Sequence, residues 1–402
     1  MSPSPALKVM GMAQSSRIGA LDFWRGLVLI AILFDHVPGD WLEYATPRNY
    51  GFSDSAEAFV FLSGLAVGVI YVARARKTGP FDVAVACLRR AIKLYGVHLA
   101  TTAAALAIFG VAYLLTGIDD LVAVHGRSLI FADPARGVAG IAALSHQIGY
   151  FNILPLYMAL MVWAPVAVVL TLTRPWLALA VSAALYVATR ALGWNLPNWP
   201  EDGHWFFNPL AWQLLFTCGV AAADIWRRAP PQRSAPLVVA CLSLLGAGAV
   251  VLTDGFGFVP GLRDSLSPKL DLGKQDLGAL RIAHFFALAY VVAASPSLVR
   301  LANASFGEGL RRLGRHSLPV FAFGSLFAAV GQALTSVATP FLSQTIVHAL
   351  EMLYVLAGVG LSFLLARRLD CESPFPFLSS LLVALRLRSR RSRPLQPSSQ
   401  QG

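Results

Sequence analysis

The chain carries 402 residues, 56% of them hydrophobic and only 13% charged, with a mean hydropathy of +0.62. A soluble globular protein carries about 25% charge, so this composition excludes a water-soluble domain and indicates a chain that crosses a bilayer many times. A formal net charge of +11 would suit a nucleic-acid partner, but the placement of the basic residues assigns them to a membrane face instead.

Residues 1–16 form a short leader that is expected to be disordered. The first apolar run ends in DHVPGD with no small-residue cleavage site, so it is expected to stay in the protein. Ten apolar stretches follow, over 20–38, 56–74, 93–115, 148–170, 175–192, 208–226, 236–252, 279–295, 318–338 and 345–366, each close to the roughly 20 residues a bilayer requires. The expected fold is all-α: a polytopic membrane domain over 17–370 with ten transmembrane helices, then a basic, Ser/Gln/Pro-rich tail over 371–402. Residues 80–92 read as an amphipathic lead into the third helix. With the N-terminus in the cytoplasm, 24 of the 32 Lys and Arg fall on cytoplasmic segments and 8 outside. That bias supports ten crossings with both termini cytoplasmic. The four cysteines, Cys87, Cys218, Cys241 and Cys371, include no CxxC pair, so neither a structural disulfide nor a metal site is expected.

The first helix holds the strongest signal. Asp22, Arg25 and His36 interrupt or bound the run GLVLIAILF. Arg25 and His36 are eleven apart, so they project within about 20° of each other and stand roughly 16 Å apart along the axis. Asp22 lies on the same side, three residues before Arg25. Ionisable groups at membrane depth are costly and point to function. The plainer reading is an interfacial ion pair and a helix-end histidine.

The third non-cytoplasmic segment reads LGWNLPNWPEDGHWFFNPLAWQ. Trp194, Trp199, Trp205 and Trp212 alternate there with acids and amides, including Asn208 and Gln213. Flat rings stack on sugar faces while amides and carboxylates pair with hydroxyls, so these six residues are candidates for binding a carbohydrate. An interfacial aromatic belt is the competing reading. Further along, Arg281 and His284 open the eighth stretch, where Arg281 suits either an anionic group or a structural pairing. His316 and Ser317 open the ninth, and Ser63 beside Gly64 suits close helix packing.

RIGALDFWRGLVLIAILFDHV, followed by GFSDSAEAFVFLSG, resembles the OpgC family, which belongs to the wider acyltransferase-3 group of membrane enzymes. The group's Arg, ten residues, then His matches Arg25 and His36. Its acidic residue before an FxxSG-like turn matches Glu57, ahead of Phe61, Ser63 and Gly64. IGYFNILPLYMALM, HWFFNPLAWQLLFTCG, ALRIAHFFALAY and LGRHSLPVFAFG extend the resemblance over about 17–366. It implies an O-acyltransferase of the bacterial inner membrane that moves an acyl group, typically succinyl, from cytoplasmic acyl-CoA to a periplasmic glucan. Acyl-CoA would be a co-substrate, with no bound cofactor.

Such a transfer needs a base for the hydroxyl, a hold on the donor and stabilisation of an oxyanion. His36 is the candidate base or covalent carrier, with Glu57 preferred over Asp35 or a backbone carbonyl as its orienting partner. Arg25 is the candidate donor clamp, set by Asp22 and joined by His316. A transporter of a small solute or glycan precursor and a glycan-binding scaffold are the rival classes.

Overall fold

A computed structural model of the protein describes residues 5–371, apart from Pro38, Asp40 and Pro230, with side chains from residue 19 onward. The expected tail lies outside the described residues except for its first position, as do residues 1–4 of the expected leader. Among the described residues the architecture is all-α, with one isolated bridge between Pro197 and His204.

Twelve helices carry the description that follows. They are α1 (Pro5–Asp35), α2 (Ser55–Thr78, with a π-helical turn at Gly68–Val72), α3 (Pro80–Thr116), α4 (Ile153–Thr173), α5 (Pro175–Leu192) and α6 (Pro209–Arg228). After them come α7 (Ala235–Leu252), α8 (Ala279–Ala294), α9 (Pro296–Asn303), α10 (Glu308–Arg315), α11 (Ser317–Ala338) and α12 (Gln344–Cys371). The amphipathic lead at 80–92 is the first part of α3. α1 begins at Pro5, within the stretch set apart above as the leader.

Among the described residues, seven helices are long and apolar enough to cross a membrane: α2, α3, α4, α5, α7, α11 and α12. α8 and α9, bent by 75° at their junction, make an eighth if counted as one span. Length and apolarity therefore fall short of the expected ten, and the two missing stretches are α1 and α6. α1 is diluted by Asp22, Arg25 and Asp35. α6 carries Gln213 and Asp224 and is enclosed by α2, α4 and α5. A helix shielded by protein on several sides need not match lipid in composition.

The core forms around α6. Trp212, Leu215 and Phe216 are fully buried against Leu154, Leu156, Leu160 and Met161 of α4 and against Phe59 and Phe61 of α2. α2 and α6 approach closely because each offers a glycine at the crossing. A Cβ on Gly64 would collide with the Phe216 carbonyl, and one on Gly219 with the Phe61 carbonyl. Small residues at such a contact let backbones meet. α7, by contrast, exposes Leu237, Val239, Leu242 and Val250, the side chains of a surface that faces hydrocarbon.

Overfilling a packed contact costs about 1–3 kcal/mol or more. Gly64→Leu is therefore expected to lower the thermal midpoint of the detergent-solubilised protein by several degrees. Gly96→Leu, on an exposed position of α3 with no atom within 4 Å of an added Cβ, should leave it unchanged. Fluorescence-detected size exclusion after heating measures both.

Candidate functional site

α10 lies directly on α1. Cβ atoms added at Gly26 and Gly314 would strike the carbonyls of Leu310 and Asp22, respectively. This contact brings the start of α11 beside the polar end of α1. Arg25 Nη1 stands 3.7 Å from Asp22 Oδ1, and Arg25 Nη2 donates to Ser317 Oγ. Arg25 Nε is buried with no hydrogen-bond partner among the described residues. Next to Ser317, His316 Nε2 meets Asp370 Oδ1 at 2.7 Å, and Arg315 Nη2 bridges Asp370 and Glu308 at 3.0 and 2.8 Å. Asp22, Arg25 and His316 thus gather at one end of the bundle, with His316 directed to Asp370.

A narrow cleft lies farther along α1, beyond Asp22 and Arg25, which do not line it. Leu29, Ile32, Leu33 and His36 line one wall, and Val320, Phe321, Gly324 and Ser325 of α11 the other; it encloses a cavity of ≈ 20 Å³. That is room for about one water molecule. His36 closes the far end. Its Nδ1 lies against the Ile32 carbonyl oxygen. A carbonyl only accepts, so Nδ1 carries the proton and Nε2 is left as the acceptor nitrogen. The His36 carbonyl accepts from Gln332 Nε2 at 2.7 Å, and the imidazole lies 5.0 Å from the Tyr150 ring.

Glu57 is not the partner of His36. Its Oε1 accepts from Arg281 Nε at 2.7 Å and lies 2.6 Å from Nη2, while Oε2 accepts from the Asp54 amide at 2.8 Å. Asp54 in turn caps α2 through Ala56 and binds Lys274 Nζ at 2.6 Å and Arg281 Nη2 at 3.0 Å. The reason is helical: the D-x-x-E pattern at Asp54 and Glu57 forms a capping box, which aims both carboxylates at the cations of α8 and the loop before it. Burial would raise the Asp54 carboxyl, but Lys274 and Arg281 outweigh it and hold it well below the ordinary carboxylate range. Asp35 is also occupied, accepting from Thr46 Oγ1 at 2.7 Å. The backbone carbonyl orients His36. His284, expected with Arg281, pairs with Ser53 Oγ at 2.8 Å.

The Trp-rich segment divides. Trp194 and Trp199 are half exposed, but Trp205 and Trp212 are buried. Trp212 Nε1 donates to the carbonyls of Lys274 and Gln275 at 3.0 and 3.1 Å. Asn208 caps α6 and donates to the Trp194 carbonyl and Asp276 Oδ1, both at 2.7 Å. Gln213 exchanges hydrogen bonds with Ser182 of α5. Buried indoles and amides need partners; Trp212, Asn208 and Gln213 find them within the fold, and Trp205 is buried, so these four offer no open face to a sugar.

Several groups at the His36 end escaped the sequence reading: Tyr150, Gln332, His125 and Arg127. They come from loops and helices far apart in the chain, and their only local trace is the IGYFN run before α4.

Removing one partner of a buried ion pair leaves an uncompensated charge and costs about 3–5 kcal/mol. Arg281→Gln should therefore destabilise strongly, and Glu57→Gln/Arg281→Gln should recover part of the loss in thermal unfolding. The Asp54 contribution has a pH signature. A depressed carboxyl stabilises above its unfolded pKa of about 3.9 and loses that stability as pH falls through its folded value. Lys274→Met, with less depression, should show a smaller acid-side loss in the same assay.

The sequence matches the family model of the OpgC protein over residues 17–368. No curated protein and no solved structure matches it.

Proposed function

The chain belongs to the OpgC family, and on that premise we propose that it is an O-acyltransferase of the bacterial inner membrane. It moves an acyl group, in the first instance succinyl, from cytoplasmic acyl-CoA to a hydroxyl of a periplasmic glucan. The observation that carries this reading is the stripe on α1: the Arg25 cluster toward one end of the helix and His36 at the other, where it lines a small cavity against α11. A donor on one side of a membrane and an acceptor on the other require a site of that form.

In the proposed topology the ten stretches all cross, with both termini in the cytoplasm. The placement of Lys and Arg supports it, as does a helix at each stretch. The Arg25 end is then cytoplasmic and the His36 end periplasmic. Arg25 serves as the donor clamp. Asp22 and Ser317 hold its two Nη groups, which leaves Nε for an anionic oxygen of the donor. His316, the further donor-binding candidate, and the arginines of α10 stand at the same end, where they meet Asp370 and Glu308.

At the other end His36 Nε2 takes the proton of the acceptor hydroxyl. The hydroxyl oxygen attacks the thioester carbonyl, the new C–O bond forms as the C–S bond breaks, and the departing sulfur leaves as the thiol with that proton. A neutral imidazole with Nδ1 held by a carbonyl suits this role. Trp194 and Trp199, the exposed members of the Trp segment, are the proposed stacking surface for the glucan.

His36→Ala should abolish transfer in membranes, a loss of at least about 10²-fold, with accumulation unchanged; retained transfer would refute the base. Arg25→Lys should raise the KM for the acyl donor, since the fork geometry is lost. Trp199→Ala should raise the KM for the acceptor and leave that for the donor alone. Mass spectrometry of periplasmic glycans from cells with and without the protein reads the group transferred.

A further inference from the structure

Arg127 lies in the segment between α3 and α4, and it is 4% exposed. No carboxylate among the described residues pairs with it. Its guanidinium stacks on the Phe109 ring at 3.9 Å, Nη2 donates to the Asp120 carbonyl at 3.2 Å, and Nε is buried without a partner. Phe109 itself belongs to a buried apolar cluster with Leu121, Ile148 and Phe151 and with Ala329 and Ala333 of α11. A buried cation without a counter-charge is strongly destabilising, and burial weakens the hold of Arg127 on its proton. The cations closest in effect to His36 are different. Arg48 is paired with Glu43, and Lys274 with Asp54.

Arg127 is close enough to His125 and Tyr150 to act on both electrostatically, and those two residues lead on to His36. His125 and Tyr150 hold φ of 60° and 70°, a left-handed conformation that strains residues other than glycine. Their segments are joined where Gly149 N donates to the His125 carbonyl at 2.8 Å. The outcome is a file of rings: His125 lies 5.2 Å from Tyr150, and Tyr150 5.0 Å from His36. Strain of this kind persists where the surroundings impose it, and it clusters at ligand sites.

We propose that Arg127 selects the transferred group, supplying the counter-charge for an acyl chain that ends in a carboxylate and is held at His36 against the Tyr150 ring. This rests on the acyl-transfer reading above. A carboxylate brought to Arg127 would satisfy Nε and the spare donors of the guanidinium fork. A neutral acyl chain would leave the charge unmet, so selection comes from the unpaired cation as well as from the new contact.

The test compares succinyl-CoA with butyryl-CoA, which has the same number of acyl carbons and no terminal carboxylate. Membrane vesicles bearing the full chain transfer each to glucan extracted from cells lacking the protein, with products read by mass spectrometry. The wild type should prefer succinyl-CoA, and Arg127→Gln should lower the succinyl-to-butyryl ratio by about tenfold or more. If Arg127→Gln does not accumulate, Arg127→Met, which removes the charge and keeps an apolar stem in the buried site, is read instead: a lowered ratio supports the proposal and an unchanged one overturns it. Equal use of both donors by the wild type, or an equal fall of both rates in the variant, also overturns it while leaving acyl transfer intact. Wild-type vesicles that transfer neither group refute the acyl-transfer reading itself, and the proposal with it.

Discussion

The site depends on how closely α10 can lie on α1. At Gly26 and Gly314 the two backbones touch with no room for a Cβ. That contact sets the start of α11 against Arg25, so that a guanidinium in an apolar helix is met by Asp22 and Ser317. It also forms the wall of the cleft that ends at His36. A larger residue at either glycine would part the helices, and the polar stripe of α1 would lose the partners that make its burial tolerable.

The same accounting governs the other charges. Arg281, Lys274, Asp54 and Glu57 neutralise one another at the head of α2. This knot ties the start of α2 to α8 and to the loop that precedes it. Glu57 is held too firmly there to orient His36, and a main-chain carbonyl does so instead. Among the described residues no carboxylate is bonded to the imidazole; one there would favour its charged form. Arg127 breaks the pattern, since its charge has an aromatic face and a carbonyl but no anion among the described residues.

The Trp-rich segment shows how one composition can serve two ends. Trp194 and Trp199 lie toward the surface. Trp205 and Trp212 anchor the segment to the core, while Asn208 and Gln213 satisfy helix ends and a neighbouring helix. Aromatic and amide residues are as useful for closing a polar loop over a bundle as for meeting a sugar.

Much of this protein was legible in its residues. Apolar stretches of bilayer length determined an all-helical membrane fold, because lipid leaves the backbone no other partner than itself. Helical periodicity alone determined that Asp22, Arg25 and His36 share one face, and the spacing of Arg25 and His36 carried the family resemblance. Two of the expected crossings, α1 and α6, fall below the apolarity of a lipid-facing helix, since polar residues shielded by neighbouring helices dilute them. Only the tertiary structure decided which polar groups are already spent. Glu57 faces Arg281, more than two hundred residues away in the chain, and four of the six Trp-segment candidates are buried. The file from His36 through Tyr150 to His125, with Arg127 beside it, likewise joins segments with no shared local pattern. Pairing and burial are properties of packing between distant segments, and a local period carries no information about them.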